Sequence, residues 1–176
     1  MNKSFVLVLL IFLTALSYGQ RGFGIDAGFS TSKAPMVAVK YFIDRNAASI
    51  GASYQVFNDA LGKKEDEILQ NDFAIGNGDF FYSIDVGYSR LLSEKFSISG
   101  ELSFVKRKYY RNLSNSSFPV GGYHIIYDTK SELDFGGFVT YYFNDLVGIF
   151  IGYNSIRRAS IGVEFRFLKP KSKTGY

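Results

Sequence analysis

The chain has 176 residues, no cysteine, 18% aromatic residues and a net charge of +4, at a mean hydropathy of +0.02. The lack of cysteine excludes a disulfide framework and a lipid-anchored leader. The modest, dispersed charge does not mark a nucleic-acid binder, and the length suits one domain better than two.

Residues 1–19 have the three parts of a secretory signal peptide: Lys3 for charge, an apolar run from Phe5 to Leu16, and the small residues Ser17 and Gly19 around Tyr18. Cleavage is expected before Gln20. The apolar run is well short of the roughly twenty residues that a helix needs to cross a bilayer. The remainder of the chain has no apolar run long enough to cross as a helix, so a membrane-spanning form must use strands.

From there an apolar/polar alternation recurs eight times. Segment one, Gly22 to Ser30, sets Phe23, Ile25, Ala27 and Phe29 against Asp26 and three glycines. Segment two opposes Val37, Val39, Tyr41 and Ile43 to Met36, Ala38, Lys40 and Phe42. Segment three, after the turn at Asp44-Arg45-Asn46, opposes Ala48, Ile50, Ala52, Tyr54 and Val56 to Ser49, Gly51, Ser53 and Gln55. Segment four, about Phe80 to Leu92, places Tyr82, Ile84, Val86 and Tyr88 opposite Ser83, Asp85, Gly87 and Ser89. Segment five begins after Ser93-Glu94-Lys95 and sets Phe96, Ile98, Leu102 and Phe104 against Ser97, Ser99, Glu101, Ser103 and Arg107. Segment six, about Leu133 to Phe143, opposes Leu133, Phe135, Val139, Tyr141 and Phe143 to Asp134, Gly136, Phe138, Thr140 and Tyr142. Asn144-Asp145 signals a turn into segment seven, where Val147, Ile149, Ile151 and Tyr153 face away from Gly148, Phe150 and Gly152. Segment eight carries Ala159, Ile161, Val163, Phe165 and Phe167 on one face and Ser160, Gly162, Glu164 and Arg166 on the other.

Connections two, four and six are tight, whereas connections three (residues 58–79) and five (109–131) are long, with Thr31 to Pro35 and Asn154 to Arg158 as short links at the same end. Short periplasmic turns opposite longer external loops are the habit of transmembrane barrels. The pattern predicts an all-β fold, an eight-stranded antiparallel up-and-down transmembrane β-barrel over residues 20–168. A basic periplasmic tail at 169–176, with Lys169, Lys171 and Lys173, follows near anionic headgroups.

Alternation alone does not say which face points inward, since a soluble lipocalin-type barrel is greasy inside. The polar face here is mostly Gly and Ser with isolated charges, which suits a crowded interior better than a solvent-washed surface. The other face is aliphatic and aromatic. Tyr41, Tyr54, Tyr88, Tyr109, Tyr110, Tyr141, Tyr142 and Tyr153 gather toward segment ends like interfacial girdles.

Across residues 20–168 this pattern resembles the small eight-stranded outer-membrane barrels of the outer-membrane protein X type and the transmembrane domain of outer-membrane protein A. The resemblance implies the outer membrane of a Gram-negative bacterium, surrounded by outer-membrane lipid and lipopolysaccharide, and implies fold far more than activity. Phe165-Arg166-Phe167 resembles the aromatic-ended signal read by the outer-membrane assembly machinery, with Leu168 to Tyr176 as a departure.

By parity the lumen holds Asp26, Lys40, Asp85, Glu101, Arg107, Asp134, Glu164 and Arg166, which must pair or bind water because isolated buried charges are too costly. They read as a plug, or in the alternative as the lining of a narrow pore. The external candidates are Lys106, Lys108, Tyr109, Tyr110 and Arg111, with Tyr123, His124, Tyr127, Arg157 and Arg158. The base-aromatic run 106–111 is a form used for nucleic acid, but its place at the outer end of segment five favours lipopolysaccharide phosphates. Alternation running on through Tyr109 and through Tyr123, Ile125 and Tyr127 suggests strands that project above the membrane and offer an edge to a protein partner. His124, the one histidine, near Tyr123, Tyr127, Asp128, Ser131 and Glu132, has the residue types of lipid A acyltransferases or deacylases without a motif spacing. Lys63-Lys64-Glu65-Asp66-Glu67 lacks calcium-loop spacing, and neither Gly76-Asn77-Gly78 nor the glycines of segment one form a dinucleotide fingerprint. No cofactor or metal is expected. The leading expectation is a nonenzymatic barrel acting in envelope structure, adhesion or partner binding, alone or as an accessory of a larger envelope machine. The alternatives are a lipid A modifying enzyme, a narrow pore and a secreted ligand-binding barrel.

Overall fold

Side chains that alternate with period two put one face of each strand on one side of a sheet, and eight such strands can close on themselves. The computed structural model describes residues 21–56, 58–68, 72–118 and 120–168. The leader at 1–19, Gln20 and the tail at 169–176 lie outside these. The strands are β1 (Arg21–Ser30), β2 (Pro35–Ile43), β3 (Asn46–Tyr54), β4 (Lys64–Glu65), β5 (Phe73–Leu91), β6 (Phe96–Ser114), β7 (Gly122–Tyr142), β8 (Val147–Asn154) and β9 (Arg158–Leu168). All but β4 form an antiparallel ring of eight in which each pairs with its chain neighbour, and β9 closes on β1 from Gly22↔Leu168 to Ser30↔Ser160. β4 is a two-residue parallel addition to β7, pairing Lys64 with His124 and Glu65 with Ile125. The ring leaves no free edge at its own level.

The two ends differ. At one end the turns are tight and built by their own side chains. Asp44 takes a left-handed conformation (φ 55°). The Ser93 hydroxyl accepts the N–H groups of Lys95 and Phe96, and Asn144 Oδ1 accepts those of Leu146 and Val147, both at 2.8 Å. At the other end lie residues 31–34, 55–56, 58–68, 72, 115–118, 120–121 and 155–157.

Much of what alternation assigns to the long connections is strand. β5 begins at Phe73, β6 runs on to Ser114, and β7 starts at Gly122. The β3 pairing stops at Tyr54↔Tyr82 and the β8 pairing at Asn154↔Gly136, so β5, β6 and β7 continue as a three-stranded sheet beyond the ring. The register between β6 and β7 shifts at Tyr109/Tyr110, where Tyr127 is the extra residue, and that between β5 and β6 shifts at Ala74/Gly76. Each bulge interrupts the period of two in its own strand, while the alternation through Tyr109 and through Tyr123, Ile125 and Tyr127 keeps the continuation of β6 and β7 legible in the sequence.

The polarity of the ring is inverted relative to a soluble protein. Asp26, Lys40, Asp85, Asp134, Glu164, Arg166 and a series of serines are buried, whereas Phe23, Val39, Ile50, Ile84, Phe104, Phe135, Ile151 and Phe167 are exposed, Phe135 at 71%. Outward aromatic pairs sit toward the tight-turn end, Phe23–Tyr41 and Phe96–Tyr141 with ring centroids 5.1 Å apart. Tyr54–Phe80 at 6.3 Å lies toward the other. Two tyrosines assigned to the girdles are buried instead, each 2% exposed. Tyr142 has inward parity, whereas Tyr110 keeps the parity of Lys108 and is covered by the β3–β5 connection. Glycine makes room for the inward rings: a Cβ at Gly28 would lie 2.7 Å from Phe150 Cζ, and one at Gly24 2.8 Å from Phe42 Cε2.

Candidate functional site

The barrel interior is organised as two charged layers. The layer nearer the tight turns is made by strand residues. Lys40 on β2 lies between Asp26 on β1 (2.8 Å) and Glu164 on β9 (2.5 Å). The second oxygen of Glu164 accepts the Tyr142 hydroxyl at 2.6 Å, and Tyr142 also meets the Ser97 hydroxyl at 3.1 Å. The Arg166 guanidinium rests 3.5 Å from the centroid of the Tyr142 ring and donates to the Asn144 carbonyl. Glu164 is completely buried, so its two partners carry the whole task of replacing water.

The layer nearer the loops is centred on a loop residue. Arg157, from the β8–β9 connection, is 1% exposed; its Nη1 donates to Asp85 at 2.7 Å and its Nη2 to Glu101. Asn154 Nδ2 bridges Glu101 and Ser103, while Asp134 accepts the Ser155 hydroxyl and the Ile156 N–H. Asn154 Oδ1 accepts the N–H groups of Ile156 and Arg157, both at 3.1 Å. Ile156 packs on the cluster of Ala34, Phe81 and Val105, which pins the turn over the mouth and sends Arg157 inward.

Between the layers, Phe138 meets Phe150 edge-on at 5.8 Å and packs with Met36. A space of about 30 Å³ beside them, lined by Asp26, Lys40, Ser49, Ser89, Ser99 and Glu101, is the share of liquid volume of about one water. Salt-bridged layers above and below an aromatic septum make this interior a filled, cross-linked core.

Seven of the eight residues assigned to the lumen by parity are in these layers. Arg107 keeps inward parity but sits at the rim, pairing with Asp79 at 3.0 Å and Glu132 at 3.7 Å with a quarter of its side chain exposed. Arg157, grouped with Arg158 as an outer-mouth residue, is instead the centre of the loop-side layer, because Asp85 and Glu101 together offer a buried cation two carboxylates. Arg158 does stay exposed, in a left-handed conformation (φ 62°).

The other external candidates divide between two faces of the projecting sheet. On the outward face Lys108 lies over the rings of Phe80 and Tyr82 at 5.9 and 5.6 Å, whereas Lys130 over Tyr109 at 5.3 Å and Arg111 over Tyr127 at 5.5 Å share the opposite face with Arg107. Lys106 is exposed near Lys108, and Lys130 on the opposite face is a basic residue that the sequence reading missed. Beyond Lys108, its face of the sheet is covered by the connection from β3. Asn112 clamps it at both ends of its amide, accepting the Leu61 N–H at 2.9 Å and donating to the Asp59 carbonyl at 2.8 Å. His124 Nδ1 meets the Leu61 carbonyl at 2.8 Å, and its ring stands edge-on to Tyr110. His124 thus straps a loop, and among the described residues it has no hydrogen bond to a serine or an acid. Tyr110 and Tyr123, grouped with the external surface, are buried; Tyr123 donates to Asp72 at 2.7 Å and packs on Phe118 at 5.0 Å.

No group of three or more His, Cys, Asp or Glu among the described residues is arranged to hold a metal ion. A scan of protein-family models and a comparison with curated protein sequences found no match. Among solved structures, Ail, the attachment invasion locus protein of Yersinia pestis, aligns at TM-score 0.52 and 13% identity over 84% of this chain and 95% of that one. The N-terminal β-barrel domain of Pseudomonas aeruginosa OprF aligns at 0.49 with 10% identity, covering 84% and 97%. Neisserial surface protein A aligns at 0.47 with 13% identity, covering 84% and 95%. The likeness to Ail is one of fold, and with the closed antiparallel ring it places this chain in the all-β architecture of the eight-stranded outer-membrane barrels.

Proposed function

We propose that this chain is a nonenzymatic outer-membrane protein of a Gram-negative bacterium, delivered by its cleavable leader and inserted by the barrel assembly machinery. Its plugged barrel anchors the β5–β6–β7 sheet outside the cell, where the sheet serves envelope structure or adhesion by binding a partner. The observation that carries this reading is the inverted polarity: charges are paired inside, and a belt of exposed aliphatic and aromatic side chains encircles the outside. Burial of that belt in lipid removes from water an apolar surface far larger than a soluble monomer exposes.

Two surfaces of the sheet support contacts. The outward face sets Lys106 and Lys108 beside the rings of Phe80 and Tyr82 just beyond the belt, a chemistry suited to lipopolysaccharide phosphates. The edge of β5 from Phe73 to Phe80 has no strand partner among the described residues and carries exposed Phe73 and Ile75. The opposite edge, on β7, is guarded by Asp128, Lys130 and Glu132. Strand addition to β5 is therefore the favoured mode for a protein partner.

The orientation is tested by inserting an epitope between Ser116 and Ser117, exposed in the β6–β7 turn. Labelling of intact cells is expected; labelling only after permeabilisation contradicts the proposal. Shortening residues 115–121 to a tight turn, with β5 substituted Ile75→Lys, is expected to abolish binding of a protein partner while the barrel still folds.

A further inference from the structure

The outer mouth holds a second feature, a pocket that shares Asn77, Gly78 and Asp79 with the β5 edge. The pocket, of about 260 Å³, lies between the β1–β2 turn, the β3–β5 connection and the edge of β5, lined by Thr31, Lys33, Gln55, Asn58, Asp59 and Asn77, with Ser32, Gly78, Asp79 and Tyr110 completing it. It is smaller than the roughly 300–1,000 Å³ of sites for drug-sized ligands, so its natural occupant is one small ring or a chain end.

Its lining is a set of hydrogen-bonding groups and very little apolar surface. Asn58 Oδ1 is taken by the Ala60 N–H, and Ser32 by the Ser30 hydroxyl, but the amides of Gln55 and Asn77 have no hydrogen-bond partner among the described residues. Of the charged groups, Asp79 is neutralised by Arg107 at 3.0 Å, which leaves Lys33 and Asp59 of opposite sign. The pocket is close to neutral and offers adjacent donors and acceptors, the arrangement that pairs of vicinal hydroxyls satisfy. The floor is fixed: the Tyr110 ring lies over Gly78 so closely that a Cβ there would come 2.5 Å from Tyr110 Cζ, and Tyr110 itself is buried.

We propose that this pocket binds the terminal ring of a neutral sugar. The pocket itself does not depend on the outer-membrane reading, which supplies only the side of the membrane that it faces. The test is titration of the full mature protein, folded in phosphocholine micelles free of sugar headgroups, with glucose, galactose and mannose in turn, followed by NMR of the backbone amides. The folded state of each sample is checked by its heat-dependent mobility on a gel. Saturable shifts confined to Asn77, Gly78 and their neighbours are expected from at least one sugar, with a millimolar dissociation constant. Asn77→Ala, at an exposed position, should weaken it about tenfold, the size of one net hydrogen bond. Glycine is titrated in parallel, since Lys33 and Asp59 would also face the two charges of an amino acid. Shifts from glycine alone, or none from any of the three sugars in a folded sample, overturn the proposal. Failure of the intact-cell labelling would instead overturn the membrane reading and leave the pocket standing.

Discussion

The two charged layers inside the barrel solve the same problem by different routes. In the layer near the tight turns, Asp26, Lys40, Glu164 and Arg166 all come from strands, at positions that alternation sends inward. In the layer near the loops the acids Asp85, Glu101 and Asp134 also come from strands, but the cation, Arg157, comes from a connection. Where both signs lie on strands the network is self-contained, and where only the acids do, a loop must enter the lumen to complete it. The loop-side layer is thus also what closes the outer mouth, since the same turn carries Ile156 onto Ala34, Phe81 and Val105.

If the turn-side layer is the more tightly closed system, removing its cation should do the greatest damage. Lys40→Met leaves Asp26 and Glu164 buried without a countercharge and is expected to cost about 3–5 kcal/mol, read as loss of the folded band in urea-titrated gels. Adding Asp26→Asn and Glu164→Gln to the same chain should restore much of that loss; no recovery would show that packing, not charge, holds the layer.

The outward belt provides the contrast with both layers. Val86→Arg, on the lipid-facing side of β5, is expected to cost about 2–4 kcal/mol in a bilayer. A soluble barrel would tolerate it, since the side chain would point into water.

Arg157→Met should cost less than Lys40→Met, about 1–3 kcal/mol, because Glu101 is only part-buried and the loop can lift to admit water. The same variant should raise proteolysis within residues 154–158 with the ring intact. Equal damage from the two variants would erase the distinction between the layers. The smallest effect is expected at Lys108→Ala, a half-buried position whose stacking on Phe80 and Tyr82 is worth about 0.5–1 kcal/mol. Its readout is weaker association of the folded protein with vesicles carrying lipopolysaccharide, at unchanged stability.

This contrast also explains what could be read from residues alone. Parity placed Asp26, Lys40, Asp85, Glu101, Asp134, Glu164 and Arg166 inside, because a strand fixes the direction of every side chain once one is known. It could not foresee that Tyr110, on an outward-parity position, is buried under the β3–β5 connection, and it breaks at the bulges in β5 and β7, where Ile75 and Tyr127 are extra residues. It could not place Arg157 at all, since a turn has no parity. A clue was nevertheless present: the lumen list held five acids against three bases, and none of those bases sat beside Asp85 or Glu101, so a further cation was owed to that level. The strapping of the β3–β5 connection by Asn112 and His124, and the pocket that it helps to form, depend on contacts between residues some fifty apart in the chain, which no local pattern records.

The central claim is that a closed ring carries its apolar face outward into lipid. It is tested most directly by fractionating cell envelopes and running the outer-membrane fraction on a denaturing gel with and without boiling. The account predicts that the protein is found in that fraction and that boiling changes its mobility, as an intact barrel gives way to an unfolded chain. Recovery in the soluble fraction with no change on boiling would contradict it, and would turn every inward and outward assignment made for the belt into that of a secreted barrel.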